Sequence, residues 1–102
     1  MRIEKNKIVV EKGVEEVCKL FGIDPYASIS EGTLLIACRE NKAEAVVKAL
    51  TKKNIKASVV GELTKPALGM NLVEKGREKK LEHPIVDPFW RAFYGALEKY
   101  KS

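Results

Sequence analysis

Among 102 residues there is no glutamine, one histidine, two aspartates and two cysteines, and each shortage removes a class of chemistry. His83 stands in a Glu-His-Pro turn with no second histidine or nearby cysteine to complete a zinc site. Asp24 and Asp87 both precede proline, where turn formation and helix capping account for them without catalysis. Cys18 and Cys38 lie twenty positions apart in apolar segments, which reads as small buried hydrophobes in a reducing compartment; a redox or metal role is the alternative. Neither GxxxxGK[ST] nor GxGxxG occurs, so no nucleotide-phosphate cradle is expected. No catalytic residue and no metal ligand is assigned.

Long apolar runs are missing as well. The 45% hydrophobic content is broken into short groups, none near the roughly 20 residues needed to cross a bilayer. The start, MRIEKNKIVV, lacks the apolar stretch and cleavage site of a secretory signal, so a cytoplasmic location without membrane contact is expected. Lysine dominates the +5 net charge but is dispersed and interleaved with glutamate. A nucleic-acid groove would cluster arginine with aromatics, so recognition of nucleic acid is not expected. Abundant Lys and Glu beside absent glutamine lean toward a thermophilic source.

The length suits a single domain over residues 1–102. Lys7 to Val10 is read as a short strand. Val14, Val17, Cys18 and Phe21 recur at helical spacing and stop at Gly22. The continuous run Thr33 to Cys38 reads as a central strand covered on both faces. Asn41 and Glu44 are spaced as a capping box for a helix over about 42–53, with Ala43, Val46, Val47 and Leu50 as its buried stripe. Asn54 ends that helix, and Ile55 to Val60 supplies a second strand running into Gly61-Glu62. Met70 to Val73, a Lys75-Gly76 turn and Lys79 to Leu81 suggest an edge hairpin whose lysines discourage self-pairing. Asp87 caps a last helix with Pro88 at its first position, carrying Phe89, Trp90, Phe93, Tyr94 and Leu97 on one broad face. That face either packs across the sheet or anchors a partner domain, with Phe89 and Trp90 as partner-contact candidates. The expected fold class is α+β: a mixed sheet of about four strands with helices mainly on one face.

Two loops exceed what burial predicts. Ser30-Glu31-Gly32-Thr33 precedes a predicted strand, and Gly61-Glu62 ends another. Glycine admits a ligand close to the backbone, and a neighbouring carboxylate can accept a hydrogen bond or a proton. Glu31, Gly32, Thr33, Gly61 and Glu62 are therefore the substrate-cleft candidates; turn formation is the plainer reading of both glycines.

In order and spacing, Val14-Glu15-Glu16-Val17-Cys18-Lys19-Leu20-Phe21-Gly22-Ile23-Asp24-Pro25, Ser30-Glu31-Gly32-Thr33-Leu34-Leu35-Ile36-Ala37 and Val59-Val60-Gly61-Glu62-Leu63-Thr64 resemble the C-terminal domain of the AIR synthase superfamily. The likeness runs over about residues 8–75 and is nearest to the hydrogenase-maturation protein HypE and its archaeal AIR-synthase-related cousins. The stretch Asp87 to Phe93 looks like the ending of those cousins. The resemblance implies an ATP-dependent enzyme of two domains. An N-terminal half would bind ATP and magnesium and build a dimer; the C-terminal half, this chain, would close the cleft without being catalytic alone. Its partner would be that N-terminal domain, in cis or in trans, and a homo-oligomer is also allowed for. The chemistry implied is activation of an amide-type oxygen by phosphorylation. By position, Glu31-Gly32-Thr33 would face the cleft and Gly61-Glu62 the domain junction. HypE ends in a reactive cysteine, whereas this sequence ends Tyr100-Lys101-Ser102, which makes the archaeal related branch the expected match. A freestanding protein-binding or regulatory module is the alternative function.

Overall fold

The first strand forms earlier in the chain than Lys7 to Val10, the segment expected to be a strand. In the structure, a computed structural model describing residues 1–30 and 32–101, strand β1 is Arg2–Glu4, and Lys5–Lys7 curls into a 3-10 turn. The other strands are β2 (Gly61–Glu62), β3 (Asn71–Glu74) and β4 (Arg77–Lys80). They hydrogen-bond in the order β2-β1-β3-β4. β1 runs parallel to β3, while β1–β2 and β3–β4 are antiparallel. With helices α1 (Lys12–Phe21), α2 (Ala43–Lys52) and α3 (Pro88–Lys99), this mixed four-stranded sheet gives the expected α+β class.

Two further predicted strands are corrected. Ile55 to Val60 does approach the beginning of the chain: the Glu4 amide donates to the Val60 carbonyl at 2.7 Å, and the Ser58 hydroxyl donates to the Lys7 carbonyl. Its neighbour there is the 3-10 turn, where the Ile8 amide donates back to Lys5. A ladder needs an extended partner, so pairing begins only at Gly61. Thr33 to Cys38 is not a strand either, because no described backbone group bonds to Leu34 to Cys38. Leu34 and Leu35 are 80% and 71% exposed, so a run that reads as covered on both faces is covered on neither.

The helices follow their local signals closely. Gly22 takes the left-handed conformation (φ 65°), and the Ile23 amide reaches back to the Cys18 carbonyl at 2.8 Å, closing α1. Asn54 ends the second helix with φ 60°. Ala43, Val46, Val47 and Leu50 are the half-buried positions of α2, as the stripe predicted. The Asn41–Glu44 capping box does not form: Asn41 lies inside a 3-10 turn, Glu40–Lys42, and Lys42 occupies the cap with no side-chain bond. At α3 the Asp87 carboxylate accepts from the Phe89 amide at 3.1 Å and Pro88 opens the first turn.

The chain divides into two compact units. One comprises Met1–Val9 and Leu34–Glu82, with the whole sheet and α2; the other comprises the described residues from Val10 to Thr33 and from His83 on, with α1 and α3. No described helix is long and apolar enough to cross a membrane.

Candidate functional site

Gly61 and Glu62 are held by β2, whose partner β1 lies directly across: Ile3 faces Gly61 and Arg2 faces Glu62. A side chain at position 61 would put its Cβ 2.0 Å from the Arg2 carbonyl oxygen and 2.9 Å from the Ile3 Cα. Strand contact therefore requires this glycine, whatever else approaches it. Glu62 is exposed, and its carboxylate has no partner among the described residues. Just beyond it, Thr64 Oγ1 accepts from the α-amino group of Met1 at 2.7 Å, and the same group donates to the Gly69 carbonyl at 2.7 Å. The loop after Glu62 is thus tied back to β1.

Gly32 and Thr33 lie in the other unit, in a turn where the Ser30 and Thr33 hydroxyls are 2.8 Å apart. Glu31, the carboxylate proposed for this loop, lies outside the described residues. The cleft candidates are therefore split between the units.

Phe89 and Trp90 open a chain of ring contacts along α3. Phe89 meets Trp90 edge-on (centroids 5.2 Å apart) and stacks on Phe93 (5.9 Å), while Trp90 stacks on Tyr94 (6.0 Å). Such contacts contribute about 0.5–1.5 kcal/mol each beyond area burial, and they hold the rings as one surface. Trp90 and Phe93 nonetheless stay 47% and 42% exposed.

The best-defined polar cluster was not anticipated from the sequence. Glu74, the last residue of β3, accepts from Lys5 Nζ (Oε1, 3.0 Å) and lies 3.0 Å from Lys79 Nζ through Oε2. Hydrogen bonding to Lys5, then to Lys79, followed by the two positive charges, holds its carboxyl below the ordinary value of 4.5. Glu74, Lys75, Arg77 and Lys79 line an open depression of about 560 Å³. The signal was in the sequence: a lone glutamate before a Lys-Gly turn, with Arg77 and Lys79 two apart beyond it. What no local pattern reveals is Lys5, brought alongside by the parallel β1–β3 pairing.

A carboxyl whose folded value is depressed stabilises the folded state above its unfolded value, and that contribution is lost as pH falls through the folded value. The Glu74 cluster is therefore expected to loosen below the ordinary carboxylate range. In a carboxyl-detected NMR titration, Lys5→Ala with Lys79→Ala should move the Glu74 midpoint up toward 4.5; an unchanged midpoint would show that the two lysines do not hold it.

Among the described residues no three His, Cys, Asp or Glu side chains converge as a cation site. The family described as AIR synthase related protein, C-terminal domain, matches residues 2–88. A protein of Methanocaldococcus jannaschii that bears the provisional name hydrogenase expression/formation protein is 26% identical over 91 residues, covering 87% of this chain and 27% of its own length. The chain thus spans about a quarter of that relative. No solved structure matches it.

Proposed function

The chain belongs to the AIR synthase related protein family as its C-terminal domain, and from that premise we propose that it is the substrate-side half of a cytoplasmic ATP-dependent enzyme. The observation that carries this reading is the span of the match. Residues 2–88 include both Ser30 to Thr33 and Gly61-Glu62, while the relative from M. jannaschii continues for nearly three-quarters of its length outside the shared segment. ATP and magnesium belong, on this reading, to an N-terminal half supplied in cis or in trans.

ATP would supply the phosphoryl group that makes an amide-type oxygen a leaving group. This chain would bind and orient the molecule carrying that oxygen. The unpaired Glu62 carboxylate suits an N–H donor of an amide, and Gly32 leaves open space for an approaching ligand, with no atom within 4 Å of a Cβ built there. The test is phosphate release from ATP by the chain alone, by an AIR-synthase-type N-terminal domain alone, and by the two mixed or fused. Turnover only in the combined sample is expected. ATP hydrolysis by the isolated chain would refute the reading.

One observation favours a second reading. The aromatic surface of α3 lies almost wholly beyond the family match and keeps Phe89 and Trp90 48% and 47% exposed, as a freestanding protein-binding module would. In that case Phe89→Ala with Trp90→Ala abolishes capture of the partner and leaves combined ATP turnover unchanged.

A further inference from the structure

Strand β4 forms one edge of the sheet, and its register decides which backbone groups are already used. The Leu81 amide donates to the Met70 carbonyl at 2.8 Å, and Lys79 and Arg77 lie opposite Leu72 and Glu74. The alternation of an antiparallel ladder then turns the peptide groups of Arg77 and Lys79 toward β3, and those of Glu78 and Lys80 outward at the open edge. All four residues are exposed. Arg77 and Lys79 project from one face, Glu78 and Lys80 from the other.

The charges on this edge are unequally matched. Lys79 is paired with Glu74 at 3.0 Å and Glu78 with Arg2 at 3.7 Å. Arg77 and Lys80 make no ion pair with a described residue. One unmatched cation therefore flanks the open edge on each face, and Lys75 adds a third in the adjoining turn. A second copy aligned Lys80 to Lys80 or Arg77 to Lys79 would set like charges against each other, which opposes those registers of self-association, while the register that aligns Glu78 with Lys80 is not so opposed. The same arrangement favours a strand of opposite charge, because specificity at an edge comes from repelling the wrong partner as much as from attracting the right one.

We propose that the β4 edge is a docking site for an extended acidic peptide of a partner protein, added to the sheet as a further strand. Its backbone bonds to the outward peptide groups of Glu78 and Lys80, and its carboxylates meet Arg77 on one face and Lys80 on the other. Within the sheet, β4 lies at the edge opposite Gly61–Glu62, and the proposal does not depend on the ATP reading.

The probe is a capped six-residue peptide, Val-Glu-Glu-Thr-Glu-Val, titrated into the full chain and followed by backbone NMR and amide exchange. Saturable shifts are expected, with slowed exchange at Glu78 and Lys80. Arg77→Glu with Lys80→Glu should weaken binding about tenfold or more, a change of about 1.4 kcal/mol, and the milder Arg77→Gln with Lys80→Gln should fall between. Slow exchange of the Glu78 and Lys80 amides in the free protein would overturn the proposal by showing the edge already covered. Equal binding of the alternately N-methylated peptide would overturn it by showing attraction without strand pairing. Equal binding of the lysine counterpart, or no shifts at millimolar peptide, would overturn it too.

Discussion

Gly61→Ala is expected to lower the melting temperature by about 10 °C, the effect of roughly 2 kcal/mol in a domain of this size. The added methyl meets backbone atoms, Arg2 O at 2.0 Å and Ile3 Cα at 2.9 Å, and backbone cannot turn aside as a side-chain tip can. Either β1 shifts or β2 detaches. Since β1 is also the parallel neighbour of β3, the disturbance crosses the sheet. Gly95→Ala is the control: it sits inside α3 with nothing within 4 Å of its Cβ position, and alanine there should stabilise by up to about 1 kcal/mol. Thermal unfolding followed by circular dichroism measures both, and equal behaviour of the two variants would refute the assigned role of Gly61.

Lys75→Pro should abolish the β3–β4 hairpin. Lys75 and Gly76 have φ of 51° and 75°, the pattern of a two-residue hairpin turn that matches strand twist. Proline is confined near −65° and cannot enter that turn, so a cost of about 3 kcal/mol or more is expected. Lys75→Asn should instead stabilise by several tenths of a kcal/mol, because asparagine tolerates the left-handed region better. Exchange protection of the Arg77 and Lys79 amides is the measurement: lost with proline, kept with asparagine. Protection surviving in the proline variant would mean that the strands pair without this turn.

These substitutions separate what local chemistry dictates from what pairing dictates. The Lys75-Gly76 turn, the left-handed stops at Gly22 and Asn54, the Asp87-Pro88 cap and the stripe of α2 were all legible, because each is settled among residues a few positions apart. The missed capping box at Asn41 fits the same account: a 3-10 turn competed for the same backbone groups and took Asn41 into itself. The strand assignments fared differently. Thr33 to Cys38 and Ile55 to Val60 have the composition of strands, but composition provides no neighbour. The ladder formed instead on Arg2–Glu4, a segment with a single apolar residue.

The candidate site divides along the same line. Gly61 and Glu62 stood out as residues, and the structure explains the glycine by β1 crossing it. Glu74 drew no attention, because the lysine that heads its hydrogen bonding lies 69 positions earlier in the chain.

By itself, the sequence determined the α+β class, the three helices with the stops at Gly22 and Asn54 and the start at Asp87-Pro88, the edge hairpin with its turn and, through the order of its motifs, the family. Local dihedral preferences and 3.6-residue spacing act within one or two turns of chain, so they are written where they are read. Only the tertiary structure decided which backbone lies beside which. It made Arg2–Glu4 a central strand, gave Gly61 its necessity and drew Lys5 to Glu74. Pairing joins residues some 60 to 70 positions apart, and no local pattern encodes such a partner.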